Sequence, residues 1–179
     1  MVKNETDLRK EAAYHCALRM MTAARTAPKG RGIDNLTICL AEGDSIKAIS
    51  AKMKELSIPN EMPAYARDAE NILASDYIVL LGTRIVPYGL KHCGLCGFKD
   101  CQEKAINISV PCIFNTGDLG IAIGSAVSVA ADMRVDTRVM FTAGYAAREL
   151  GLLGTEVRIA YGIPLSISGK SPFFDRKPV

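Results

Sequence analysis

The sequence predicts one α/β (α+β) domain spanning residues 1–179. Three observations lead there. Segments with apolar residues at helical spacing are interleaved with three short β-rich runs, the order of a mixed fold rather than a bundle or a sandwich. Hydrophobic residues make up 49% of 179, enough for one sizeable core and short for two full domains. No internal repeat and no linker divides the chain.

The elements follow in order. Residues 7–26 predict an amphipathic helix, with Leu8, Ala12, Cys16, Met20 and Ala24 on one face. APKGRGIDN (27–35) breaks that pattern with one Pro and two Gly and reads as a loop. LTICLA (36–41) is a short β-rich run ended by Glu42 and Gly43, as expected of a buried strand. Asp44 or Ser45 can cap a helix to about Leu56, which SIPNEMP closes with two prolines. AYARDAENILAS (64–75) predicts another helix. DYIVLLGT (76–83) is the clearest strand, apolar from Tyr77 to Leu81 and stopped by Gly82.

Past a cysteine-rich segment come a short helix (101–107), an extended VPCIFN (110–115) and a long helix (117–133). TRVMFTAGYAARELGLL (137–153) predicts one more helix, ended by Gly151 and Gly154. EVRIAYGIPLS (156–166) is a last strand and GKSPFFDRKPV (169–179) a tail.

Charge and targeting signals narrow the function classes. A net charge of +3, from 22 basic and 19 acidic residues, is too mild and too evenly spread for a nucleic-acid surface. MVKNETDLRKEA is charged where a secretory signal would be apolar. No apolar run reaches the roughly 18 to 20 residues of a membrane span. The expectation is a cytoplasmic protein with reduced thiols, which disfavours disulfides and makes the Asn-x-Ser/Thr matches meaningless.

Half of the six cysteines then stand out. Cys93, Cys96 and Cys101 form C-x2-C-x4-C in HCGLCGFKDC, and Cys112 follows in a Pro-Cys pair. Three chemistries use thiolates in this way. A four-iron cluster takes four thiolates, several from one tight loop. Gly94 and Gly97 suit such a loop by permitting positive φ and leaving N–H groups near the sulfurs. Zinc also takes four ligands, and His92 could supply one, but zinc sites more often use two C-x2-C knuckles and only one exists here. A redox dithiol needs only Cys93 and Cys96, with His92 the one obvious base. Cys16 and Cys39 sit singly on predicted apolar faces and read as core residues. His15 reads as a surface or partly buried residue of the first helix.

CGLCGFKDCQEKAI resembles the start of the four-iron–four-sulfur (4Fe-4S) domain of electron-transfer subunits and corrinoid proteins, in which C-G-x-C-G-[FY]-x-x-C precedes an Ala-containing helix. That family usually spaces its last cysteine further downstream than Cys112. Four stretches, AARTAPKGRGIDNL, LKHCGLCGFKDC, DLGIAIGSAVSVAADMRVDTRVMFTAGYAARELGLL and YGIPLSISGKSPFFDR, together resemble a prokaryotic family of uncharacterised ferredoxin-domain proteins. The resemblance implies a 4Fe-4S cluster on Cys93, Cys96, Cys101 and Cys112, within a cluster-binding segment 84–112. The implied work is one-electron transfer with an unknown redox partner. The rival reading is a non-catalytic binding module with structural zinc at the same cysteines.

The flanking segments are similar to FMN-dependent nitroreductases. Ala27-Pro28-Lys29-Gly30-Arg31-Gly32, Asp118 to Ala122, and Ala160 to Pro164 stand in the order of that family's flavin loop, D-x-G-x-A helix and Gly-x-Pro strand end. The resemblance implies a nitroreductase-like core with the cysteine loop inserted after strand 77–82, a possible nitroreductase-like oxidoreductase, and an FMN site. The family's arginine-rich phosphate motif is absent, and Arg25, Lys29 and Arg31 are the charges that could replace it. Gly120, Gly124 and Ser128, with Ala122, Ala126 and Ala130 on a neighbouring face, allow close backbone approach along helix 117–133. The resemblance implies a homodimer through that helix.

Overall fold

The structure, a computed structural model, describes residues 1–58 and 62–174. Residues 59–61 of the predicted SIPNEMP loop and 175–179 of the tail lie outside the described residues.

The strand Tyr77–Thr83 (β2) organises the fold. It is buried along its whole length, and its side chains alternate between two cores. Tyr77, Val79 and Leu81 face one cluster, and Ile78 and Leu80 face the other. An antiparallel strand covered on both faces therefore needs a continuous apolar run, not an alternating one. β2 pairs antiparallel with Leu36–Glu42 (β1) on one side and Ile159–Ser166 (β4) on the other. A two-residue edge strand, Asp136–Thr137 (β3), completes the order β1-β2-β4-β3.

On one face lie helices Glu5–Thr26 (α1) and Ile113–Asp132 (α5). α1 starts at Asn4, whose side chain accepts the Thr6 N–H at 3.2 Å, with Glu5 and Asp7 in its first turn. It buries Ala13, Cys16, Ala17, Met20 and Ala24. Leu8 and Ala12, expected on that stripe, are exposed, so the buried face is rotated toward the 13/17 row, which meets α5. His15 is exposed beside Glu11. The other face carries Asp44–Ser57 (α2), Pro63–Ile72 (α3) and Phe141–Glu149 (α6). Cys39 packs at the edge of this second cluster.

Three local expectations change. VPCIFN is extended only to Cys112, because Ile113 already begins α5. α5 is therefore 20 residues long, and by length and composition it is apolar enough to cross a bilayer, contrary to the reading that no run reaches that size. In the fold it lies along α1 and β2, with Asp118, Leu119, Ala122, Ala126 and Ala130 buried. Residues 137–140 are not helical, because Thr137 pairs with Leu165 and Met140 exchanges both backbone hydrogen bonds with Gly162, at 2.8 and 2.9 Å.

Close backbone approach sets the position of α6. A Cβ on Gly144 would lie 2.3 Å from the Ala160 carbonyl, and one on Gly162 would lie 2.8 Å from the Ala143 Cβ. Gly82 does not stop β2 but sits within it, where a Cβ would meet Val157 at 2.5 Å. Gly144→Ala is expected to cost about 1 to 3 kcal/mol, since neither backbone can yield. A urea midpoint equal to the wild type's would show that α6 slides freely on β4.

Candidate metal centre

The segment after β2 is held at both ends by the start of α5. Thr83 and Arg84 close β2 against Asn35, whose carbonyl accepts the Arg84 N–H at 3.2 Å and whose Oδ1 accepts from the Arg84 guanidinium at 3.2 Å. The Val86 N–H donates to Asn115 Oδ1 at 2.8 Å. Tyr88 is buried, stacks on Phe114 with ring centroids 5.6 Å apart, and donates its hydroxyl to Asp118 Oδ2. The chain returns at Cys112, whose carbonyl accepts from Asn115 N–H at 3.0 Å as α5 begins. Departure and return thus share one anchor, the first turns of α5.

That anchor also holds the loop after α1. Asp118 Oδ1 accepts the Gly30 N–H at 3.0 Å, and the Arg31 guanidinium donates to the Tyr88 carbonyl at 2.5 Å. Only glycine fits at 30, because a Cβ would sit 2.5 Å from the Tyr88 ring. Burial first, and then the Asp118 carboxylate beside it, push the Tyr88 hydroxyl up to about 12. The amides of Asn35 and Asn115 draw it partly back, although neither buried Nδ2 makes a hydrogen bond of normal geometry among the described residues.

Between those anchors lies the cysteine segment. Gly97 takes φ +88° and its N–H donates to the Gly94 carbonyl at 3.0 Å, closing a tight turn between Cys93 and Cys96. Asp100 caps Cys101–Ile106 (α4) by accepting the Gln102 and Glu103 N–H groups, both at 2.9 Å. Glu103 in turn accepts the Lys99 N–H at 2.7 Å. Cys93, Cys96 and Cys101 are half-buried, Cys112 is buried, and all four are free thiols. Cys112 stands at the N-terminal end of α5, where the helix dipole favours an anionic ligand atom. A cavity of about 650 Å³ opens beside Cys101, bounded by Pro87, Gly89 and Leu90 opposite Asp100 and Ala105. Among the described residues no three His, Cys, Asp or Glu side chains are gathered closely enough to hold a metal ion. The donor set fits a thiolate-bound cluster in number and chemistry; its convergence requires the segment to close. His92 is exposed in the same loop.

The charges expected to take a flavin phosphate are otherwise engaged. Arg25 donates to Asp34 at 2.6 Å and to the Leu36 carbonyl at 3.1 Å. Partial burial pulls the Asp34 carboxyl upward, but Arg25 and the Leu36 N–H hold it below the ordinary carboxylate value. Lys29 is buried and caps the end of α1 on the Ala24 and Arg25 carbonyls. Arg31 holds Tyr88. Each cation serves the loop's own fold.

Residues 109–176 match the family described as uncharacterized proteins containing a ferredoxin domain (DUF2148). Over 185 aligned residues, 99% of each chain, the sequence is 40% identical to an uncharacterized protein of Archaeoglobus fulgidus. The chain belongs to this ferredoxin-domain family. Of the four cysteines only Cys112 falls within the matched region. Solved structures with the same fold include a nitroreductase with bound FMN from Desulfitobacterium hafniense (12% identical, TM-score 0.61, covering 95% of this chain and 81% of that one). A BluB-like flavoprotein from Clostridium difficile is 19% identical with TM-score 0.55, covering 92% and 85%. Nitroreductase CinD from Lactococcus lactis is 12% identical with TM-score 0.58, covering 97% and 86%. At these identities the likeness shows the fold alone, an α/β core of the nitroreductase type.

Sequence reasoning passed over Tyr88, Asn35 and Asn115, and took Asp118 only as part of a motif. A lone aromatic between Pro and Gly, directly before the cysteines, was the available signal for Tyr88. Tyr88→Phe leaves Asp118 Oδ2 without its donor and is expected to cost roughly 1 to 3 kcal/mol at neutral pH by urea unfolding. The folded-state value of the hydroxyl is raised, so its contribution is complete below the unfolded tyrosine value of about 10. It fades as pH rises through about 12. The difference between wild type and variant should shrink over that window; a difference that stays constant would show that the hydroxyl does not carry it.

Proposed function

We propose that this member of the ferredoxin-domain family is a cytoplasmic iron–sulfur redox protein. Cys93, Cys96, Cys101 and Cys112 would hold a 4Fe-4S cluster on the nitroreductase-like scaffold. The observation that carries the reading is the common anchor. Three half-buried thiols lie on one Gly-turned, capped segment, and both ends of that segment are fastened to the first turns of α5, where Cys112 stands. Fixing the ends in the folded scaffold removes most of the loop-closure entropy that four-thiolate ligation would otherwise cost. Ligation then draws 93–101 against Cys112, so loading is coupled to ordering of the segment. When bound, the cluster supplies one-electron oxidation and reduction, exchanged with a redox partner. No flavin site is proposed on Arg25, Lys29 and Arg31, whose heads are already held.

Each single Cys→Ala change at 93, 96, 101 or 112 is expected to remove most iron from anaerobically reconstituted protein, while Cys16→Ala and Cys39→Ala retain it. A brown preparation absorbing near 400 nm is the expected result. A colourless one with stoichiometric zinc would replace the redox reading with a structural metal, and full iron in Cys112→Ala would remove that residue from the site.

We further propose a homodimer through α5. Ile113, Gly117, Gly120, Ile121, Gly124 and Ser128 form its exposed face, and a Cβ at any of the three glycines would meet nothing within 4 Å. The described chain leaves this small-residue face uncovered, and a second copy of α5 could approach it closely. Gly124→Leu therefore costs the single chain nothing in packing but blocks the approach. The expected outcome by light scattering is a wild-type dimer and a folded Gly124→Leu monomer; a wild-type monomer at micromolar concentration would end the idea.

A further inference from the structure

β4 pairs with the edge strand β3 at one end, and at its other end a cleft opens that the cysteine segment does not use. Two cavities, of about 300 and about 330 Å³, adjoin there along Arg148, Arg158 and Ile159. Phe141, Tyr145 and Tyr161 wall the first, and Ile85, Ile108 and Pro111 wall the second. Phe141 and Tyr145 lie one turn apart on α6 and are 45% and 38% exposed. The buried Tyr65 meets both rings edge-on, with centroids 5.7 and 6.4 Å away, which orients them before anything binds.

The two arginines of the cleft are differently placed. Arg148 is held on three sides. Its guanidinium carbon lies 4.4 Å from the Tyr145 ring centroid, Nη1 donates to the Arg158 carbonyl at 2.8 Å, and Nη2 pairs with Glu149 at 2.6 Å. Arg158 is exposed, and among the described residues its guanidinium has no ion pair and no hydrogen bond. No acidic side chain lines either cavity. A lone arginine on a polar surface is an ordinary solvated charge, but this one lines an aromatic and aliphatic cleft whose other cation is already neutralised. A guanidinium fork takes a carboxylate through two parallel hydrogen bonds, and apolar walls take a planar ring.

We propose that this cleft binds a small aromatic carboxylate, its ring against Phe141 and Tyr145 and its carboxylate on the Arg158 guanidinium. A single unneutralised cation favours a monoanion over a phosphate dianion. Each cavity is at the small end of the range of ligand pockets, which suits one or two fused rings rather than a nucleotide. Ring burial supplies affinity, and the charged fork supplies orientation. Arg148 is a positioning residue, because it ties the Tyr145 ring to the backbone of Arg158. The inference does not depend on the iron–sulfur reading.

The test titrates 2-naphthoate into the full chain and follows naphthalene fluorescence, beside 2-naphthamide as the neutral isostere and acetate as a competitor without the ring. Wild type is expected to bind 2-naphthoate saturably and 2-naphthamide about tenfold or more weakly, with no displacement by equimolar acetate. Arg158→Gln is expected to weaken 2-naphthoate roughly 10- to 100-fold, to the level of the amide. Its urea midpoint should match the wild type's, because the side chain is exposed. Arg19→Gln removes the same charge from the exposed side of α1, across the sheet, and should bind 2-naphthoate as wild type does. Equal affinity of wild type for acid and amide would overturn the proposal, and that comparison stands even if the variant folds poorly. An unchanged affinity in Arg158→Gln, or an equal loss in Arg19→Gln, would overturn it as well. So would the absence of saturable binding to wild type.

Discussion

The Asp118 carboxylate, buried at the start of α5, is the point on which the functional half of the molecule depends. One oxygen accepts the Gly30 N–H and the other the Tyr88 hydroxyl, so a single side chain joins the loop after α1 to the segment after β2. A buried carboxylate is costly unless its lone pairs are filled, and here two chain segments must meet for that to happen. Formation of α5 and the seating of both loops are thereby made one event. Tyr88 adds packing to the hydrogen bond, through its stack on Phe114 and its contact beneath Gly30.

Behind this anchor stands a rigid frame. β2 is covered on both faces, and α6 rides directly on the backbone of β4 at Gly144. Such contacts leave no slack, so the start of α5 and the end of β2 have fixed positions from which the cysteine segment departs. The segment itself is built differently. It has a turn at Gly94–Gly97, one short capped helix and half-buried thiols, with little core of its own. A stable scaffold carrying a weakly packed excursion is the arrangement expected where a metal completes the local structure.

The basic loop illustrates how the same residues can serve two ends. In sequence, Arg25, Lys29 and Arg31 read as charges awaiting an anion. In the fold, Asp34, the α1 carbonyls and the Tyr88 carbonyl take them. A nitroreductase-like fold is retained while these charges maintain the chain's own architecture.

The sequence by itself determined the mixed α/β class and the positions of β1, β2, β4 and α1 to α4. Those features rest on local signals: the apolar run of β2, the helical spacing of apolar residues in α1, and the two prolines that follow α2. Tertiary structure alone decided the rest. Residues 137–140 left the helical pattern because β4 offered hydrogen bonds to an edge, which no window of sequence records. Leu8 and Ala12 lost their place in the core because the choice of buried face depends on where α5 lies. Tyr88 looked like any loop aromatic until Asp118, Phe114 and Gly30 closed around it. Burial, and the charge or hydrogen bond it demands, is a property of what packs around a residue and not of the residue itself.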